Sequence, residues 1–284
     1  MIQFLLYWTK RLTETFKSFE NLLMLSVSKI KLIRSLEHKK YRTQYGLFVV
    51  EGDKTVREIL DSSLTVECLL AKSVWLEQLP ACLRSKANQL IEINDRELSQ
   101  ISFQKTPNQA LALAQIPNEQ VDFDELTGGL SLYLDGVQDP GNLGTIIRLA
   151  DWFGIRYVLC GQECADPFSP KTVQSTMGAI IRVKTCQTDE SFFRLLKTLR
   201  SDFPVYGTSL TGENLYDTPL PSRAVIVMGN ESKGISDKVA QYVNRCLLIP
   251  SYPPGRPTSE SLNVATAAAI VCAEFRRVVG GPNR

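Results

Sequence analysis

At 284 residues and 44% hydrophobic content the chain is a soluble globular protein, long enough for one large domain or two ordinary ones. Its formal charge of only +2 removes whole-chain charge as an argument for a nucleic-acid partner. Seven cysteines without a CxxC pair argue against a disulfide framework or a zinc ribbon, and the single histidine, His38, rules out a metal triad built on histidine and leaves a Ser-His-Asp relay without a well-placed base.

The chain opens with MIQFLLYWTKR, whose apolar stretch is too short to span a bilayer and carries its charges on the wrong side for a signal peptide. With the cysteines read as reduced, the expected location is the cytoplasm. Residues 1–28 look unlike the rest and read as an N-terminal extension. Met24 begins MLSVSKIKLIRSLEHKKYR, a natural start, so residues 1–23 are expected to be dispensable or to come from an upstream start codon.

Val27, Ile30, Ile33 and Leu36 follow a helical spacing over 27–40. The basic residues Lys29, Lys31, Arg34, Lys39, Lys40 and Arg42 accompany it, with Glu37 as the one acid between Lys29 and Arg42. Such a stripe on a near-neutral protein suits RNA phosphates or a merely solvated helix face, and charge alone does not separate the two. Strands are predicted at 47–52, 65–70, 88–93 and 111–116, and helices at 54–61 and 73–79, with Asp95 capping a further helix that carries Glu97. Residues 29–116 therefore read as a small α/β domain, and the polar stretch 117–129 as a linker.

The remainder, 130–284, alternates more clearly. Strands fit at 131–136, 156–160, 204–208, 223–228 and 246–249, and helices at 143–153, 170–176, 189–200, 236–243 and 261–277. The fold class is α/β, with an open, mostly parallel sheet covered on both sides, whose ligand belongs at the carboxyl ends of the strands.

Three strand ends carry unusual residues. In LYLDGVQDPGNLGTIIRLADWFG (132–154) a strand runs through a turn-former cluster into a helix, with Asn142 expected at the N-cap, Gly144 allowing a close approach and Arg148 six residues on. In AVIVMGNESKGIS (224–236) Gly229 and Gly234 flank Glu231, suggesting backbone packed against a flat ligand. In CLLIPSYPPGRPTSESLNVATAAAIVCAEFRR (246–277) a Pro-rich loop leads to Ser261 and a helix whose run Ala265 to Ala269 implies another backbone close by. Each feature alone also fits an ordinary capped helix or βα turn.

Together, in order and spacing, the three segments resemble the three motifs of the SpoU (TrmH-like) class of RNA 2′-O-ribose methyltransferases in the SPOUT superfamily. STMGAII (175–181) after SPK (169–171) extends the likeness, and residues 29–115 are more loosely similar to an L7Ae-like substrate-binding domain. One departure is the ten-residue stretch Ser251 to Glu260 between the IP and SLN elements, longer than usual in the family.

The resemblance implies a deep trefoil knot, with S-adenosyl-L-methionine held by backbone groups around Thr208, Gly229, Ile249 and Leu262. It implies Arg148 at the ribose hydroxyl, positioned with the ribose by Asn142, Glu231, Ser261 and Asn263, and no metal. It also implies a homodimer, with the helix around Trp152 and Phe153 and the segment Phe275-Arg276-Arg277 as interface candidates, and structured RNA as substrate, 23S ribosomal RNA before transfer RNA. The rival readings are a non-catalytic RNA-binding or ribosome-assembly protein on the same fold, which replacement of the motif residues would favour, and a dinucleotide oxidoreductase, which the missing GxGxxG disfavours. Sequencing the N-terminus of the native protein tests the start-site expectation: a start at Met24 supports it, and a start at Met1 removes it.

Overall fold

A computed structural model describes residues 25–118, 120–257 and 259–279. Of the expected extension 1–28, residues 1–24 lie outside the described residues, while Val27 and Ser28 already belong to the first helix. The chain divides into two compact units, Met1–Ile116 and Pro117–Arg284.

In the first unit, α1 (Val27–Ser35), α2 (Lys39–Tyr45), β1 (Leu47–Glu51), α3 (Asp53–Asp61), β2 (Val66–Ala71), α4 (Ser73–Gln78), α5 (Ala81–Arg84), β3 (Ala87–Glu92), α6 (Asp95–Ile101) and β4 (Ala110–Gln115) follow one another. The sheet order is β1-β4-β2-β3, antiparallel except for the β2/β3 pair. The helix expected over 27–40 is two helices. Arg42 explains the break: it is buried, and its guanidinium donates to the carbonyls of Leu36 at 2.7 Å and Glu37 at 2.8 Å, where α1 has ended. Ile33 and Leu36 are buried as the spacing predicts, whereas Val27 is exposed. The cap of α6 is Asn94 and not Asp95: Asn94 and Glu97 form a reciprocal capping box. The other oxygen of Glu97 accepts from the Leu25 N–H at 2.6 Å, tying the start of the described chain to this unit.

The second unit holds α7 (Phe123–Thr127), β5 (Leu130–Leu134), α8 (Pro140–Trp152), β6 (Tyr157–Cys160), α9 (Pro170–Thr176), β7 (Lys184–Gln187), α10 (Ser191–Leu199), β8 (Val205–Asn214), β9 (Ala224–Met228), α11 (Asp237–Ala240), β10 (Arg245–Leu248) and α12 (Val264–Val279). Six strands form one sheet in the order β10-β8-β9-β5-β6-β7, and every pair in it is parallel. β5, β6 and β9 are buried along their whole length, as strands covered on both faces must be. From β5 the chain winds outward to β6 and β7, then crosses to build the other half. That reversal beside β5 is where open α/β sheets leave a crevice. Among the described residues no helix is long and apolar enough to cross a membrane.

Four expectations shift. β7 was not predicted, β8 runs past 208 to Asn214, α11 covers only part of 236–243, and α12 begins at Val264. The stretch read as a linker contains α7, which is part of the second unit's structure: Leu126 is in the core, packed in the cluster that holds Tyr133, Phe192 and Phe193. Glu125 of α7 accepts from Arg156 Nη1 at 2.5 Å, Lys184 Nζ at 2.6 Å and Tyr157 Oη at 2.7 Å. Led by the Lys184 bond, these donors hold its carboxyl down at about 2, from an ordinary 4.5. A depressed carboxyl stabilises the fold above its unfolded value and loses that contribution as the pH falls through its folded value. Glu125→Gln is therefore expected to cost about 1–2 kcal/mol at neutral pH. Denaturant titrations of the two proteins should converge between pH 4.5 and about 2.

Candidate active site

The crevice is assembled by three turns. At the end of β5, α8 starts with Asp139 as its N-cap, whose Oδ1 accepts from the Asn142 N–H at 2.8 Å. The expectation that Asn142 is the cap is therefore corrected. The correction matters, because a capping side chain would be spent on its own backbone. Instead the Asn142 side chain reaches across the sheet: its Nδ2 donates to Glu231 Oε1 at 2.9 Å, and its Oδ1 accepts from Asn263 Nδ2 at 3.0 Å.

The third strand end supplies Asn263, immediately before α12. Its Oδ1 accepts from the N–H groups of Ala265 at 3.0 Å and Thr266 at 3.2 Å. That capping role fixes which way both amides point. With the Asn263 oxygen on the helix, its NH2 must face Asn142, whose own NH2 is then left for the carboxylate.

At the end of β9 a tight turn presents Glu231. Asn230 and Gly234 exchange backbone hydrogen bonds at 2.9 Å in both directions. Asn230 Oδ1 accepts from the N–H of Ser232 at 2.9 Å and of Lys233 at 3.0 Å, while its Nδ2 donates to the Gly136 carbonyl at 2.7 Å. Asp135 Oδ2 accepts from the Ser236 N–H at 2.6 Å. Asn230 was not singled out from the sequence, although an Asn opening a Gly-closed turn is a recognisable signal. Gly229 is required by the turn itself: a Cβ there would lie 2.6 Å from the Ile235 nitrogen. Gly144 likewise meets α9, where a Cβ would lie 2.7 Å from the Thr172 carbonyl oxygen.

A pocket of about 600 Å³ opens at the carboxyl ends of β8, β9 and β10. The expected cofactor residues Thr208, Gly229, Ile249 and Leu262 all line it, as do Glu231 and Ser261. Its wall combines apolar side chains, among them Met228, Ile235, Val243 and Leu247, with the polar and charged Thr208, Asn230, Lys233 and Arg245. Size and lining suit a nucleoside with a short polar tail. Arg148 does not line this pocket. It is exposed on α8, about 120° round the helix from Asn142, and its side chain has no hydrogen bond or ion pair among the described residues.

The expected RNA-binding stripe is divided. Lys31, Lys39 and Lys40 are exposed. Lys29 donates to Gln89 Oε1 at 2.9 Å, and Arg34 to the Ser102 carbonyl at 2.7 Å while covering the Phe103 ring. Arg42 is committed to the backbone and offers nothing to phosphate. The expected dimer segments divide as well. Phe275 is buried edge-on against Tyr206, Arg276 donates to the carbonyls of Phe153 and Gly154, and Arg277 pairs with Glu274. Trp152 projects, 84% exposed.

The model of the SpoU rRNA Methylase family matches residues 129–273. The chain belongs to this family. The model of the MRM3-like substrate binding domain matches residues 28–112, where a substrate-binding domain was expected. The 23S rRNA (guanosine(2553)-2′-O)-methyltransferase RlmP of Bacillus subtilis is 32% identical over 87% of this chain and 96% of its own length. A solved structure assigned to the TrmH family, from Porphyromonas gingivalis, is 41% identical, with a TM-score of 0.78 over 89% of this chain and 98% of the other. The AdoMet-bound rRNA methyltransferase from Sinorhizobium meliloti is 28% identical, with a TM-score of 0.77 over 89% of this chain and 96% of that one. Asn263→Ala removes a helix cap and a site contact together. It is expected to lower stability by about 1 kcal/mol, measured by denaturant titration.

Proposed function

We propose that this chain transfers a methyl group from S-adenosylmethionine to a ribose 2′-hydroxyl of 23S ribosomal RNA. The observation that carries the reading is the pocket at the ends of β8, β9 and β10, which gathers Thr208, Gly229, Ile249 and Leu262 beside the carboxylate of Glu231. The bound cofactor supplies an electrophilic methyl group on a sulfonium. The protein's task is then to hold a weak alcohol nucleophile in line and to find a destination for its proton.

Glu231, Asn142 and Asn263 hold the three strand ends in register, and Ser261 stands at the pocket wall as a hydroxyl partner for cofactor or ribose. Arg148 is assigned to the acceptor hydroxyl. Its guanidinium stays protonated, so it orients the oxygen and stabilises developing negative charge, and the proton requires a neighbouring RNA phosphate or a relay. Arg148 lies outside the pocket lining, so it reaches the acceptor only when RNA or a second copy closes that gap.

The same reading includes a homodimer packed through the exposed face of α8 that carries Trp152, and a cytoplasmic location alongside the ribosome. It also includes a trefoil knot. β8 leaves its ladder with β10 after Gly207 and resumes it at Glu213, with Gly212 packed against the Cys246 backbone, an irregularity compatible with a threaded topology.

Arg148→Ala is expected to abolish turnover and leave the fold intact; near-normal activity would remove Arg148 from the mechanism. The function itself is tested by mapping ribose methylation in total RNA from a strain lacking the gene beside its parent. One lost 2′-O-methyl mark in 23S RNA, restored by the wild-type chain and not by Arg148→Ala, supports the reading. Unchanged marks with defective ribosome assembly would favour a non-catalytic RNA-binding protein instead.

A further inference from the structure

The loop joining β10 to α12 leaves the pocket at Ile249 and returns to it at Ser261 and Leu262, so both of its ends are pocket wall. The segment between them is therefore anchored beside the pocket at both ends. Within it, Pro254 and Gly255, the latter at φ +79°, occupy the two central positions of a type II turn. The turn is closed by the Arg256 N–H donating to the Pro253 carbonyl at 3.3 Å. Two consecutive prolines and a closed turn limit the freedom of this segment before any ligand arrives.

Two side chains flank that turn. Tyr252 is 89% exposed, the highest value among the exposed large hydrophobics, and its ring has no aromatic or hydrogen-bond partner among the described residues. Arg256 is exposed, and its guanidinium has no ion pair or hydrogen bond among them. Lys233, also exposed, lines the same pocket from the β9 turn. A bare aromatic face and a free guanidinium on a stiffened loop beside a nucleoside-sized pocket match what single-stranded RNA offers, a flat base and a phosphate.

We propose that this loop reads the RNA beside the methylated ribose, with the Tyr252 ring stacking on an unpaired nucleobase and Arg256 holding the adjoining phosphate. The inference rests on the 2′-O-methyltransferase reading above and adds the substrate feature selected: an unstacked base in a loop or bulge. It also gives the long Ser251 to Glu260 connection a purpose.

The test uses the full-length protein with the RNA fragment found by methylation mapping, and with S-adenosylhomocysteine as a cofactor probe. Tyr252→Ala is expected to raise KM for RNA about tenfold or more, Tyr252→Phe to keep it near wild type, and S-adenosylhomocysteine affinity to stay unchanged in both. Arg256→Ala is expected to weaken RNA binding and to flatten its salt dependence by about one phosphate contact. Wild-type KM in Tyr252→Ala would overturn the proposal, and so would loss of S-adenosylhomocysteine binding, which would make the loop a cover for the cofactor. If the wild-type chain methylates no RNA, the underlying reading fails first, and that outcome is distinct from either of these.

Discussion

The second unit depends on one short chain of hydrogen bonds, Asn263 to Asn142 to Glu231. These residues are far apart in sequence and come from the ends of three different strand–turn units. Asn142 has both ends of its amide engaged, by Asn263 and by Glu231, and Asn263 has its other end engaged by the start of α12. An amide is well suited to such a junction, because it donates and accepts in fixed directions and carries no charge that must be neutralised. The carboxylate at the far end makes the last bond a charge-assisted one, roughly twice as strong as a neutral pair. Glu231, which lines the pocket at the ends of β8, β9 and β10, is tied to α8 by that closure.

Two of the three junction residues, Asn142 and Glu231, are spared from holding up their own turns. Asp139 takes over the capping of α8 and frees Asn142. Asn230 organises the β9 turn and pins it to Gly136, which leaves Glu231 available to the site. Gly229 and Gly144 permit backbone contact where a side chain would collide, one within the turn and one between α8 and α9. In the first unit the same economy runs the other way. Arg42, Arg34 and Lys29, which a charge count assigns to RNA, are engaged by carbonyls and an amide of their own domain. Lys31, Lys39 and Lys40 remain as the free part of the stripe.

Much of this was legible in the sequence because parallel strands buried on both faces read as near-continuous apolar runs, as AVIVM does throughout and LSLYL does but for Ser131. The site residues were legible as a set because three motifs kept their order and spacing, although no one of them was decisive. What escaped had physical reasons. KTCQ makes β7 at the sheet edge, short and half polar, with no periodicity to find. Asp139 and Asn142 are both good caps, and only the three-dimensional demand for Asn142 elsewhere decides between them. The burial of Arg42 follows from a helix break that the apolar spacing of 27–40 does not reveal. α7 was hidden in a polar stretch because its hold on the core is short: Leu126, the Phe123 ring stacked on Phe192, and a carboxylate ringed by donors.

The claim that Asn142 and Glu231 act as one unit is tested most directly by a double-mutant cycle on methyl transfer, comparing kcat/KM for Asn142→Ala, Glu231→Ala and the pair. The account predicts strong coupling, with the double variant little worse than the poorer single one and an interaction energy of about 1–3 kcal/mol. Losses that simply add would contradict it, and would mean that the hydrogen bond between the two strand ends is not what assembles the site.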